Sequence, residues 1–207
     1  LYFAWLVMLS RALHHGYWPF LNPYWFAGSL PFAPLESGAM YPVTLLAAAI
    51  TNPSWSLDTI YFVFLGLSFS HYLLGACAMH VLLRRFLGLG VIAALFGALC
   101  YACGGSFLGR FSHQPVLYTL AWLPLAVGGA MQFVRTDALP PAALAIAAIW
   151  LMGVSSLPQL FLYGVAVVAA TVAWFSLTED PSLRWAKLRR GAIVLGLALG
   201  LLAPRIL

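Results

Sequence analysis

Charge is what this sequence has least of. Asp, Glu, Lys and Arg together make up 7% of its 207 residues, against about a quarter in a soluble domain. A water-soluble globule of this composition would have nothing polar with which to cover its surface. Hydrophobic residues make up 63% instead, so the composition predicts an integral membrane protein. Acids are scarcest, five against ten basic residues. The basic residues are scattered at segment ends and form no patch that would track nucleic acid, so no nucleic-acid partner is expected. There are three cysteines, Cys77, Cys100 and Cys103, all in apolar segments where a thiol packs as a small hydrophobe. No signal-peptide pattern opens the chain and LLAPRIL ends it in an apolar run, so the sequence reads as an internal fragment of a longer protein.

What is present is apolar, aromatic and unevenly punctuated. Residues 16–42, GYWPFLNPYWFAGSLPFAPLESGAMYP, hold five of the thirteen prolines. Proline lacks a backbone donor and forces the preceding residue out of the helical region, which excludes a continuous helix there. The same stretch carries Tyr17, Trp18, Phe20, Tyr24, Trp25, Phe26, Phe32 and Tyr41, amphipathic rings suited to a membrane-water boundary or a ligand surface. It is expected to form an ordered extracytoplasmic loop capping an all-α, polytopic membrane helix bundle.

The organisation follows from segment lengths. Residues 1–56 read as an interfacial helix, the cap loop and a short half-inserted helix. Residues 57–207 read as six spans, at 57–83, 89–107, 116–134, 142–154, 160–177 and 191–207. Arg84 and Arg85 follow the first span, Arg135 the third, and Arg184, Lys187, Arg189 and Arg190 precede the sixth. These seven share one side of an alternating topology, which the positive-inside rule makes cytoplasmic. The cap loop, the turn from Arg110 to Pro115 and the SSLPQ segment then share the extracytoplasmic side. Gly196 and Gly200 form a GxxxG pattern, a weak signal for helix contact.

Candidate chemistry gathers on that outer side. In GGSFLGRFSHQP, Gly104, Gly105 and Gly109 allow close backbone approach while Arg110, His113 and Gln114 supply donors. Arg110 and His113 would suit a phosphate, the first as a fork of donors and the second as a titratable one. Against that stands simple anchoring of Arg110 in lipid headgroups. Glu36 is the one carboxylate of the cap loop, a candidate general base or half of a salt bridge. His71 and His80 lie inside the first span; His71 is read chiefly as a hydrogen-bonding link to another helix. His14 and His15 are adjacent with no spaced ligand cluster, so neither a metal nor another cofactor is expected.

The run HHGYWPFLNPYWFAGSLPF and the AMYPVTLL after it resemble the pattern G-x-x-P-x-W-N-P-Y-x-x-x-G-x-P-F followed by Y-P of the YfhO-like bacterial membrane proteins, which are grouped with the GT-C glycosyltransferases. The likeness continues through SHYLLGACAMHVLLRRFLGL, YACGGSFLGRFSHQPVLYTLAWLPL and SSLPQLFLY. Leu21 stands where that family often has Trp, Ala4 where it often has Pro, Leu157 where it often has His, and Arg205 where Gln is usual. The resemblance implies transfer of a sugar from a polyprenyl-phosphate donor to an extracytoplasmic cell-envelope acceptor, in the bacterial cytoplasmic membrane. The cap aromatics Tyr24 and Trp25 would stack the sugar, Asn22 and Gln159 would bind its hydroxyls, and Arg110 with His113 would hold the leaving phosphate. The main catalytic acid would fall just before Leu1, with Glu36 a second candidate. A transporter or flippase-like carrier and a non-catalytic membrane assembly protein are the alternatives.

Overall fold

The computed structural model describes residues 2–16, 38–110, 112–155 and 158–202. Among these residues there are helices and turns but no strand. The helices are α1 (Tyr2–His14), α2 (Pro42–Ile50), α3 (Leu57–Val81, continued by a π-turn over Leu82–Phe86), α4 (Val91–Ala102), α5 (Gly105–Leu108), α6 (Gln114–Thr136), α7 (Leu139–Ser155), α8 (Pro158–Thr178) and α9 (Arg184–Gly200). By length and apolarity three of them are able to cross a membrane: Leu57–Phe86, Gln114–Thr136 and Pro158–Thr178.

Several boundaries differ from those expected of the sequence, each for a local reason. The segment expected to span 89–107 stops as α4 at Ala102 and resumes as the four-residue α5; Cys103 and Gly104, the second a poor helix former, separate the two. The last helix begins at Arg184 rather than at 191, because Arg, Trp, Ala, Lys and Leu all tolerate a helix and the basic run merely extends it past the apolar part. Residues 139–155 form a longer α7 than the apolar core 142–154, with Pro140 and Pro141 accommodated in the first turn, where no backbone donor is missed. α3 starts where Ser56 caps it, its hydroxyl accepting from the Thr59 amide at 3.2 Å.

α6 is the central element. Fourteen of its residues are buried, among them Leu117, Tyr118, Ala121, Ala126, Gly129 and Ala130. It runs parallel to α3: the Gln114 amide donates to the Phe64 carbonyl at 3.3 Å near one end, and Arg135 Nη1 to the Phe86 carbonyl at 3.4 Å near the other. α4 is the return stroke between them and packs on α3 by its alanines, Ala94, Ala98 and Ala102. Its other faces are exposed, Ile92 by 84%. Cys100 and Cys103 lie on that exposed side, and Cys77 on α3 is exposed as well. The expectation that the thiols pack inside therefore fails: all three are exposed, although Cys103 accepts a long hydrogen bond from the Tyr72 hydroxyl at 3.7 Å.

Pro124 lies inside α6 and has no N–H to give the carbonyl four residues earlier. That carbonyl, of Leu120, accepts instead from the Tyr101 hydroxyl at 2.7 Å. α7 folds back after the short turn at Asp137, whose φ of 60° is left-handed, a conformation Asp tolerates better than most residues. The two helices approach to backbone contact: a Cβ on Gly129 would meet the Pro141 carbonyl at 2.8 Å and the Ala145 amide at 2.9 Å. Among the described residues, Gly196 and Gly200 of the GxxxG pattern have nothing within 4 Å of the same position.

The basic residues gather where the Leu82–Phe86 turn, the end of α6 and the start of α9 meet. Arg135 bonds Glu179 at 2.8 Å and lies 4.3 Å over the Phe175 ring; Lys187, buried, bonds the other Glu179 oxygen at 2.9 Å; Arg190 Nε bonds Asp137 at 2.9 Å. Partial burial works against the Glu179 charge, but Lys187 and Arg135 outweigh it and hold its carboxyl below the ordinary carboxylate range.

Two predictions follow from this packing. Gly129→Ala should destabilise the chain by about 2–3 kcal/mol, because only backbone stands in the way and backbone cannot swing aside; Gly196→Ala should gain up to about 1 kcal/mol from helix propensity alone. Unfolding midpoints in detergent check both. The lowered Glu179 carboxyl means its stabilising contribution is whole above its ordinary value of 4.5 and drains away as pH falls through the lower folded value. Glu179→Gln should therefore cost about 2 kcal/mol at neutral pH and flatten the acid limb of a pH-stability profile.

Candidate functional site

The turn from Cys103 to His113 is fixed by one wedge. Phe107 is 1% exposed and fills the slot left by Gly75 on α3, with Tyr72 and Tyr101 edge-on to its ring. Any Cβ at Gly75 would collide with that ring, so the smallness of residue 75 seats α5 and the residues after it. Beyond the wedge the chain turns through Arg110, whose carbonyl accepts from the His113 amide at 2.7 Å. Arg110 itself is exposed.

His113 precedes the first turn of α6 and meets the start of α1. Its Nε2 lies 2.7 Å from the Tyr2 hydroxyl, with the rings tilted at a centroid distance of 4.8 Å. Tyr2, Phe3, Tyr61, Phe64, Ser112 and His113 line an open cavity of about 380 Å³. Its wall is aromatic, and the Tyr2 hydroxyl and the His113 ring pair on it. That is the surface a ligand with an apolar body or sugar ring and a polar head would need. Arg110 and His113 thus stand on one turn.

Gln114 does not face this cavity. Its buried amide donates to the Phe64 carbonyl and, at 3.5 Å, towards the Ser68 hydroxyl, binding α6 to α3. Gln159 is exposed at the start of α8, donating to the Tyr163 hydroxyl at 2.8 Å. The remaining sequence candidates, Asn22, Tyr24, Trp25 and Glu36, lie outside the described residues. Among the described residues no three His, Cys, Asp or Glu side chains come together closely enough to hold a metal ion.

A second polar cluster lies deeper between α2, α3 and α6. Leu67's carbonyl can only accept, so His71 Nδ1, 2.8 Å away, carries the proton. Nε2 is then the acceptor, and Tyr41 donates to it at 2.6 Å while accepting from Trp122 Nε1 at 2.8 Å. Every member of this chain is satisfied without any charge. His71 is the helix-to-helix link that its depth in the first apolar span implies, and its partner is the tyrosine of the Y-P pair.

Sequence reasoning picked out Arg110 and His113 and missed Tyr2. Tyr2 is 111 residues from His113 along the chain and sits in an apolar run, where an aromatic reads as packing. No family model, curated protein or solved structure matches the chain. Tyr41→Phe should cost about 1–3 kcal/mol, since it leaves the His71 and Trp122 nitrogens buried without a partner. Thermal unfolding checks this, and a midpoint equal to wild type would remove the role assigned to the hydroxyl.

Proposed function

We propose that the chain is a multi-pass bundle in the bacterial cytoplasmic membrane that transfers a sugar from a polyprenyl-phosphate donor to an extracytoplasmic cell-envelope acceptor, as its resemblance to the YfhO-like, GT-C type proteins implies. One spacing carries the reading. Gln114 contacts Phe64, twenty residues before Arg84 on the same helix, and twenty residues at 1.5 Å each make about 30 Å, one hydrocarbon thickness. With the basic cluster at one bilayer face, the Arg110–His113 turn and its aromatic cavity fall at the other, the level of a lipid phosphate. The cap-loop residues Asn22, Tyr24 and Trp25 would complete the sugar side.

In the reaction an acceptor hydroxyl forms a bond to the anomeric carbon as the carbon's bond to the phosphate oxygen breaks. The hydroxyl proton passes to a carboxylate, the one the resemblance implies ahead of Leu1 or Glu36. The lipid phosphate leaves with added negative charge, and Arg110 and His113 are the donors suited to stabilise it. A carrier would instead need charged groups along a path, and among the described residues every ion pair lies at the basic end.

Arg110→Ala or His113→Ala should lower transfer from a panel of polyprenyl-phosphate sugars by about a hundredfold or more, while the variant proteins insert into membranes as wild type does. A transfer assay in proteoliposomes measures the first and flotation the second. Undiminished transfer in both variants eliminates the phosphate site.

A further inference from the structure

The basic end divides into cations that have partners and cations that do not. Seven basic side chains stand there against three acids, Asp137, Glu179 and Asp180. On α9, Lys187 and Arg190 face inward and are taken by Glu179 and Asp137. Arg184 and Arg189 have no ion pair among the described residues; Arg189 is exposed, and Arg184 has its Nε shielded from solvent with no hydrogen-bond partner. Helix stability does not account for them. The first turn of α9 holds no acid and its cap residue makes no side-chain bond, so Arg184 at its first position opposes the helix dipole, and Arg189 lies beyond the dipole's reach.

Beside them is exposed apolar surface. Trp185 is 81% exposed, shares a helix face with Arg189 four residues on, and follows Leu183, itself exposed. A water-soluble polyanion would match the arginines and leave the indole in water. An anionic lipid matches both, since its phosphate meets the guanidinium forks and its glycerol and acyl region meets the ring. We propose that the corner between α8 and α9, formed by Arg184, Trp185 and Arg189, is a binding surface for anionic phospholipid headgroups. This rests on the membrane placement above and is independent of sugar transfer.

The test titrates phosphatidylglycerol or phosphatidylcholine into the detergent-solubilised chain, with bound lipid counted by native mass spectrometry. Wild type should hold phosphatidylglycerol at least about tenfold more tightly than phosphatidylcholine. The double variant Arg184→Gln, Arg189→Gln should lose that preference, and Arg184→Lys, Arg189→Lys should keep most of it. The proposal falls if wild type shows no preference, if the Gln pair keeps it, if the Lys pair loses as much as the Gln pair, or if inorganic phosphate at equal concentration displaces the lipid. Incorporation into phosphatidylcholine nanodiscs, measured in parallel, reports on membrane placement separately.

Discussion

The close approach of α6 and α7 at Gly129 is the contact on which the rest of the packing depends. α6 packs against α3, α7, α8 and α9, and a neighbour can come to backbone contact with it only where its own side chains are small. Gly128, Gly129 and Ala130 supply this at one level, with the Phe86 ring seated against Gly128 and the Pro141–Ala145 backbone against Gly129. Because the fit is backbone to backbone, it fixes the height of α7 against α6. The core cluster of Ala145, Ala148, Ile149 and Met152 with Val168, Val172 and Val194 forms around that crossing.

A chain this poor in charge has to satisfy buried polar groups from within, and at three places the structure does so with neutral pairs. Pro124 orphans the Leu120 carbonyl, and Tyr101 from the α4 side takes it. Gln114 ties the start of α6 to α3 by a backbone carbonyl, and Trp122, Tyr41 and His71 close a chain of donors that ends on Leu67. Among the described residues the ion pairs are confined to the opposite end, where Glu179 is shared by Arg135 and Lys187 and Asp137 is taken by Arg190. The division is energetic: a buried neutral pair costs little to desolvate, whereas a buried ion pair needs excellent geometry to break even.

Much of the helical order was legible because apolar run length and proline position are local signals. Apolar pattern alone sets the start of α3 at Leu57, where the structure has it, and of α8 at 160, two residues after its first residue, Pro158. The end of α4 was less so, since whether a helix continues through Cys103 and Gly104 depends on Phe107 finding its slot in α3, which no local pattern encodes. The start of α9 was misplaced because charge was read as a boundary, although arginine and lysine are good helix residues. At the site, the glycines and the donors of Arg110 and His113 announce a special turn. The pairing of His113 with Tyr2 is purely tertiary, and Gln114 looked like a ligand donor only because its receiving carbonyl on α3 was invisible.

The return helix α4 has twelve residues, about 18 Å of rise, while the α3 stretch it lies against runs on well beyond it. The shortfall is made up by α5 and the turn that follows. The number of residues in the return stroke therefore works as a ruler: it decides how far up α3 the Arg110–His113 turn comes to rest. One added turn of helix would lift that turn by about 5 Å and carry Phe107 past its slot at Gly75, so the elevation of the candidate site is written in chain length as well as in residue identity.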